Sequence, residues 1–202
     1  MPERLTVFIS STSKDLEEHR QQVRDACLEL EMFPKMMEHL AASTAGAVEV
    51  SLGMVDQADI YVGIFAYRYG YIPDGYDRSI TQMEYERAVE RKLPCLIFIM
   101  GPTHLIQAEN VETGEGAVKM QAFKEHLTRT HVVNFFSSPA DLRGQALHSL
   151  AEQKAKMEQA AQGSAPGLGG ITVNQTATGS KNVTQIGYVQ GQVNITQNDG
   201  DS

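Results

Sequence analysis

Apolar positions follow two periods along the first 160 residues or so, and the two periods predict an alternating series of strands and helices. Short, continuous apolar runs are typical of strands that are buried on both faces of a parallel sheet. They occur at residues 5–10, 59–65 and 95–99, and residues 33–38 and 131–136 form two further plausible strands that are interrupted by polar residues. Apolar residues at helical spacing separate these runs, as in Leu16, Val23, Cys27 and Leu30.

Strand and helix alternate five times in this interpretation. The helices are expected after residue 13 and at residues 45–57, 79–92, 118–130 and 139–162. This order predicts an α/β fold, a five-stranded parallel sheet with helices on both faces and right-handed crossovers between the strands. In such folds the ligand crevice lies outside the carboxyl ends of the strands. We therefore expect a functional site at that edge of the sheet.

Polar and aromatic residues gather at the predicted edge. They are Ser10, Ser11 and Thr12 after the first strand, Glu38 at the end of the second, and Arg68, Tyr69 and Tyr71 in the loop after the third. The loop of residues 67–78 contains four tyrosines, and aromatic loops often frame ligand sites or interfaces. The alternative is that these rings simply cover the open end of the sheet.

The first loop and the helix that follows it can form an anion site. Thr12 and Asp15 have the spacing of a capping box, in which side chains bind the first backbone amides of a helix. Amides without partners at a helix N-terminus attract phosphate and other anions. Every α/β domain has several such junctions, so an ordinary structural loop is the alternative.

Two carboxylates on the helix that Ser79 can cap are predicted to differ in their surroundings. At about 100° per residue, Glu84 falls on a partly apolar side, whereas Glu86 falls on a solvent face. Burial of a carboxylate costs desolvation energy, so Glu84 needs a partner or a function. Two explanations stay open, a salt bridge to Arg87 or Arg91 and a catalytic role.

Composition narrows the choice of partners. The 202-residue chain has a formal net charge of −8 and no visible basic stripe, which disfavours binding to nucleic acid. Cys27 and Cys95 are expected to be small buried hydrophobes, and no metal site is predicted. Neither a signal segment nor a membrane-spanning apolar run is visible, so we expect a cytoplasmic protein without a membrane partner.

The C-terminal part of the chain has a different composition. After the predicted main domain (residues 1–161), residues 162–170 form a linker of small residues and proline, and residues 171–202 are rich in Val, Thr, Asn and Gly. Valines recur at Val173, Val183 and Val193, which predicts three short strands. Three such strands cannot bury a core alone. We therefore expect a homo-oligomer or a protein partner through residues 171–197.

Several motifs of the main domain occur together. They are Val-Phe-Ile-Ser-Ser-Thr at 7–12, Asp-Ile-Tyr-Val-Gly-Ile-Phe at 59–65, Arg-Tyr-Gly-Tyr-Ile-Pro at 68–73 and Ser-Ile-Thr-Gln-Met-Glu-Tyr-Glu-Arg-Ala at 79–88. In combination they resemble the family catalogued as domain of unknown function 4062, over roughly residues 5–136. That family is similar to TIR domains and to nucleoside 2-deoxyribosyltransferases. The resemblance implies a flavodoxin- or TIR-like three-layer sandwich.

The resemblance also implies a chemistry. Deoxyribosyltransferases carry a Thr-x-x-Glu-x-Gly-x-Ala pattern whose glutamate attacks the anomeric carbon. Thr81, Glu84 and Ala88 match it, and Glu86 stands where that family has glycine. This implies cleavage of an N-glycosidic bond in NAD or a related nucleotide, in bacterial defence or stress signalling. The nucleotide would be the substrate, and no separate cofactor is expected.

One candidate set follows from the resemblance and the sheet edge together. It consists of Glu84 as catalytic carboxylate and of Ser10, Ser11, Thr12, Glu38, Arg68, Tyr69, Tyr71, Ser79 and Thr81 as substrate-binding residues. Ser11 and Thr12 would hold phosphate, Arg68 would pair with it, and Tyr69 or Tyr71 would stack on a base. The alternative is a catalytically inactive assembly module that uses the same surface for contacts.

Overall fold

Five parallel strands form the central sheet of the computed structural model, in the spatial order β2-β1-β3-β4-β5. The structure describes residues 4–37, 46–104 and 106–163. The elements are β1 (Thr6–Ser11), α1 (Glu17–Glu29), β2 (Phe33–Lys35), α2 (Ala47–Asp56), β3 (Ile60–Phe65), α3 (Ile80–Glu90), β4 (Cys95–Met100), α4 (Glu115–Thr130), β5 (Val133–Phe136) and α5 (Pro139–Gly163). The predicted α/β fold with a parallel five-stranded sheet is confirmed.

Side chains of each strand alternate between two helical layers, because successive residues of a strand face opposite sides of a sheet. Val7, Ile9 and Val62 belong to the buried cluster that includes residues of α1 and α5. Phe8 and Tyr61 belong to the other cluster, which includes residues of α2, α3 and α4. The sheet is therefore buried on both faces, as the continuous apolar runs predict.

The ends of several elements differ from the sequence prediction. β2 ends at Lys35, three residues before the predicted end, and β5 begins at Val133 instead of residue 131. α4 begins at Glu115, three residues early, and a short 3-10 helix (Ala108–Asn110) precedes it. Ser79 caps α3 as predicted, since its hydroxyl accepts a hydrogen bond from the backbone N–H of Gln82 at 3.2 Å.

The direction of winding reverses at β1. The chain passes from β1 to β2 on one side, and β3 then pairs with the other side of β1. In the register of β1 and β3, Ser10 is opposite Gly63 and Ser11 is opposite Ile64. The carboxyl ends of these two strands enclose the crevice where open parallel sheets bind ligands.

Three expectations fall on other parts of the chain. Residues 162–163 of the predicted linker belong to α5, whereas Glu38, the rest of that linker (residues 164–170) and the predicted strands at residues 171–197 lie outside the described residues. The division into domain, linker and tail therefore stays a prediction. Among the helices that the structure describes, none combines the length and apolar character needed to cross a membrane.

Candidate functional site

Glu84 lies in the middle of α3 and is almost completely buried, with 4% of its surface exposed. Two hydroxyl groups donate hydrogen bonds to its carboxylate. Ser10, near the end of β1, donates to Oε2 at 2.5 Å, and Ser51, on α2, donates to Oε1. Both serines are buried. The carboxylate is therefore held between the sheet and α2, with one hydroxyl on each oxygen.

The two arginines considered as partners of Glu84 bind a different carboxylate. Arg87 forms a bidentate ion pair with Asp56 at the end of α2, with Nε–Oδ1 at 2.7 Å and Nη2–Oδ2 at 2.9 Å. Arg91 reaches the same carboxylate at 3.4 Å. The hydrogen bonds from Arg87 lower the pKa of Asp56. A salt bridge of Glu84 to either arginine is therefore not the explanation for its burial.

A cavity of about 250 Å³ opens beside Glu84, and we call it the Glu84 cavity. Its lining consists of Ile9, Ser11, Ser13, Arg20, Met37 and Glu84. Several of these residues lie at the carboxyl end of β1, at the reversal point of the sheet. One glutamate, one arginine and two serines therefore line a cavity at the position where this type of sheet binds ligands.

Arg20 is a member of this site that the sequence prediction missed. It is only 5% exposed, and its Nη1 donates to the backbone oxygen of Thr12 at 2.6 Å. A signal was present, because Arg20 lies four residues after Leu16 and three before Val23 on the apolar stripe of α1. Ser51 shows the same signal, since it is a polar residue on the buried side of α2.

Thr12 does not cap α1, so the capping-box prediction is wrong. Its hydroxyl donates to Oδ1 of Asp15 at 2.6 Å, and α1 begins at Glu17 without a side-chain cap. The first turn carries Glu17 and Glu18, whose charges oppose an anion at this helix N-terminus. The positive charge on the lining of the Glu84 cavity comes from Arg20 instead.

The tyrosine-rich loop passes close to this site at Gly70. Gly70 has a φ of +95°, a conformation that favours glycine. A Cβ there would lie 3.2 Å from Cγ2 of Thr12 and 3.4 Å from Oγ1 of Thr81. The predicted residues Thr12, Ser79 and Thr81 are therefore gathered around one glycine, next to the start of α3.

The two tyrosines of the candidate set do not line the Glu84 cavity. Tyr69 is 3% exposed and donates from its hydroxyl to Oε1 of Gln82 at 2.5 Å. It lines a separate cavity of about 310 Å³ between α3 and α4, which we call the α3–α4 cavity. Tyr71 is 68% exposed, and its backbone oxygen accepts from the amide of Ile80 at 3.0 Å.

Arg68 lies beside the first loop. Burial raises the pKa of Asp15, and the charge of Arg68 acts against that rise, as does the hydrogen bond from Thr12. Nη1 of Arg68 also contacts the backbone oxygen of Glu109 at 3.5 Å. Arg68 is therefore close to Asp15, but it is not among the residues that line the Glu84 cavity.

Glu86 lies on the opposite side of α3 from Glu84, as the helical period predicts. Its carboxylate accepts from Nη1 of Arg78 at 2.5 Å and from Nε2 of Gln82 at 2.8 Å. It lines the α3–α4 cavity and is 37% exposed. The glutamate in the place of glycine therefore does not narrow the Glu84 cavity.

Tyr61 lies in the sheet below the site. Its side chain is completely buried, and its hydroxyl makes no hydrogen bond of good geometry with the described residues. Burial raises the pKa of this phenol far above its usual value, and the charge of Glu84 raises it further. The environment below Glu84 is therefore strongly unfavourable for an additional negative charge.

Comparison with known proteins gives one family and several distant similarities. The family model described as "Domain of unknown function (DUF4062)" matches residues 6–151. The mouse (Mus musculus) telomerase protein component 1 is 25% identical over 166 residues, covering 61% of this chain and 6% of that protein. The chain therefore spans a small fraction of the length of this curated relative.

Two solved structures are similar at 16% identity. The TIR domains of the activated Roq1 resistosome, which directly recognises the pathogen effector XopQ, align with a TM-score of 0.42 over 73% of this chain and 84% of that one. A 2-desoxiribosyltransferase from Leishmania mexicana aligns with a TM-score of 0.36 over 56% of this chain and 76% of that one.

Proposed function

The chain belongs to the family described as domain of unknown function DUF4062, and from the site described above we propose that it is a nucleotide-processing enzyme. The proposed reaction is cleavage of an N-glycosidic bond in NAD or a related nucleotide. Glu84 is the catalytic carboxylate of this proposal. A role in bacterial defence or stress signalling is part of the same proposal.

The observation that supports it most directly is the position of the Glu84 carboxylate. It lines a cavity at the reversal point of the sheet, and serine hydroxyls hold both of its oxygens in one orientation. When the C–N bond breaks, its electron pair leaves with the base and positive charge develops on the anomeric carbon. A carboxylate stabilises that carbon or forms a bond to it, and water then completes hydrolysis.

Arg20 supports a substrate that carries a negative group. Arg20 lines the same cavity as Glu84, together with Ser11 and Ser13. Guanidinium groups and hydroxyls bind phosphate through charge-assisted hydrogen bonds. In the proposed complex, the sugar faces Glu84 and the phosphate lies toward Arg20.

The test is release of free base from NAD and from nucleosides by the purified full chain, measured by chromatography. Glu84→Gln keeps the shape of the side chain but removes its charge, so it should abolish release while the protein stays folded. Glu86→Gln is the matched control, since Glu86 is a carboxylate on the same helix outside the Glu84 cavity. Equal release by wild type and Glu84→Gln would exclude Glu84 as the catalytic group.

The second candidate function is an assembly module without catalysis. The same two hydrogen bonds favour it, because they connect α3 to the sheet and to α2 and are sufficient for a structural role. A large fall in the melting temperature of Glu84→Gln, without base release by wild type, would support this candidate.

Self-assembly through residues 171–197 belongs to that second candidate. Light scattering of the full chain and of a chain ending at Gln162 tests it at tens of micromolar, a range in which specific assemblies form. The molar mass of the full chain should exceed that of a monomer, and the molar mass of the shortened chain should equal it. If both chains are monomeric, self-assembly through this segment is wrong, and recruitment of a partner protein becomes its proposed role.

A further inference from the structure

Two imidazole rings face each other outside the Glu84 cavity. His19 is in the first turn of α1, and His104 lies in the connection after β4. Their Nε2 atoms are 2.9 Å apart, and their ring centroids are 4.9 Å apart. Both rings pack against Phe136, at centroid distances of 5.2 and 6.1 Å. The proposed glycosidic reaction has no step that uses this pair.

The facing nitrogens of His19 and His104 are too close for both to carry a proton. At 2.9 Å one nitrogen can donate its N–H to the other, whereas two N–H groups that point at each other would clash. A lone pair is therefore directed into the space between the rings, and neutral imidazole is the form that binds metal ions.

We propose that His19 and His104 bind one divalent transition-metal ion, of which Zn²⁺ is the test case, through their two Nε2 atoms. Imidazole nitrogen is a preferred ligand of zinc, nickel and copper. Two bonds of about 2.0–2.1 Å at a roughly tetrahedral angle place the nitrogens about 3.4 Å apart. The rings therefore need to separate by roughly half an ångström from their present positions.

Acidic side chains lie beside His19. His19 lines a cavity of about 410 Å³ together with Asp15, Glu17, Glu18 and Lys14. The carboxylates on this lining can accept hydrogen bonds from water bound to the ion. Oδ2 of Asp15 is buried and lacks a hydrogen-bond partner among the described residues.

Two protein ligands define the type of site. Among the described residues, no group of three His, Cys, Asp or Glu side chains is arranged to hold one ion. Water therefore completes the coordination, so binding is weaker than at a structural zinc site with four protein ligands. Since His19 is on α1 and His104 follows β4, the ion would connect these two segments at the edge of the sheet that holds the Glu84 cavity.

The experiment is calorimetric titration of the full chain with Zn²⁺, followed by melting curves with and without the ion. One ion per chain should bind and raise the melting temperature, and Mg²⁺ should do neither. His104→Gln should weaken the affinity for Zn²⁺ by at least roughly tenfold, because loss of an outer-shell partner alone costs 10–100-fold. His104 is the residue to replace because it is less buried than His19.

Two matched control variants distinguish Zn²⁺ binding at His19 and His104 from binding at other histidines. His131 belongs to a second cluster, in which Tyr85 contacts both His131 and His126, and His148 is exposed on α5. His131→Gln and His148→Gln should bind Zn²⁺ as wild type does. Equal affinity in wild type and His104→Gln would overturn the proposal, as would a loss confined to His131→Gln.

A spectroscopic measurement keeps the proposal testable if His104→Gln does not fold. Nitrogen NMR of the wild-type histidine side chains should show two Nε2 signals shifting together on addition of Zn²⁺. Unchanged histidine signals at saturating Zn²⁺ would exclude the site.

Discussion

The two sides of α3 present the same kind of residue in opposite surroundings. Glu84 is 4% exposed and is held by serine hydroxyls, whereas Glu86 is 37% exposed and is paired with Arg78. The adjoining cavities have similar volumes, about 250 and 310 Å³. Cavity size therefore does not distinguish a functional side from a structural one. The distinction comes from the partners and the burial of each carboxylate: buried serine hydroxyls donate to Glu84, whereas Arg78 and Gln82 bind Glu86 at the surface.

The largest expected effect comes from removing the two donors on the buried side. Ser10→Ala with Ser51→Ala leaves the Glu84 carboxylate without the hydroxyls that hold it. Hydrogen bonds to charged groups contribute about 1.5–3 kcal/mol each, so the free energy of unfolding should fall by several kcal/mol. Urea denaturation measures this loss. Arg78→Gln removes the partner of Glu86 and should leave unfolding close to wild type.

A double variant as stable as wild type would contradict the comparison. It would mean that the serine hydroxyls do not stabilise Glu84, and that the two sides of α3 are equivalent. If base release is detected for the wild type, it should fall in the double variant and persist in Arg78→Gln.

The next effect tests how closely the sheet below Glu84 is packed. Gly63 is opposite Ser10 in the register, and a Cβ there would lie 2.6 Å from the ring of Phe65 and 3.0 Å from that of Tyr61. Gly63→Ala should therefore destabilise the protein by about 1–3 kcal/mol. Gly53→Ala, in α2, is the control: apart from its chain neighbours and its own helix backbone, no atom of the described residues lies within 4 Å of its added methyl group, so it should stabilise by about 0.5–1 kcal/mol. Thermal melting of both variants checks the difference in sign.

A smaller effect compares two tyrosines whose rings touch. The hydroxyl of Tyr61 is buried without a hydrogen bond of good geometry, whereas that of Tyr85 is 2.8 Å from Nε2 of His131. Tyr61→Phe should stabilise the protein by about 1 kcal/mol, and Tyr85→Phe should destabilise it by about the same amount. A loss of stability in Tyr61→Phe would show that its hydroxyl supports the Ser10–Glu84 pair.

The smallest effect is a pH dependence on the side of α3 away from Glu84. Burial, followed by the charge of His126, lowers the pKa of His131 below the usual histidine value of 6.5. The unfolded state therefore binds more protons just below pH 6.5, so stability decreases as the pH falls through this range. His131→Gln should make the melting temperature less dependent on pH between about 5 and 7. An unchanged slope would assign the dependence to other groups.

The fold could be predicted from the sequence because its strands are continuous apolar runs and its helices carry apolar stripes. The difference between Glu84 and Glu86 followed from the helical period, and the cap at Ser79 followed from local chemistry. All of these features depend on residues close together in the chain. The prediction failed for Thr12 and Asp15, whose side chains bind each other instead of the helix amides.

The site was harder to predict because its contacts join distant parts of the chain. Ser51 donates to Glu84 across 33 positions, and Ser10 donates across 74. The periodicity of apolar residues within one helix or strand cannot predict a contact between residues so far apart in the chain. The buried polar positions of Arg20 and Ser51 on apolar stripes were the available signal, since a polar residue in a core requires a partner. Tyr69 was placed in the candidate set for its aromatic ring, but its ring belongs to the buried core, because an aromatic residue in a loop can also pack under the loop.

The ion pair of Arg87 with Asp56 has a consequence for orientation. α2 is attached to α3 at two levels, by Ser51 with Glu84 and by Asp56 with Arg87. A helix that is attached at two levels cannot easily rotate about its axis. The ion pair of Asp56 with Arg87 therefore opposes a rotation of α2 that would move the Ser51 hydroxyl away from Glu84. In this way, an ion pair outside the cavity maintains the hydrogen bond between Ser51 and the buried carboxylate of Glu84.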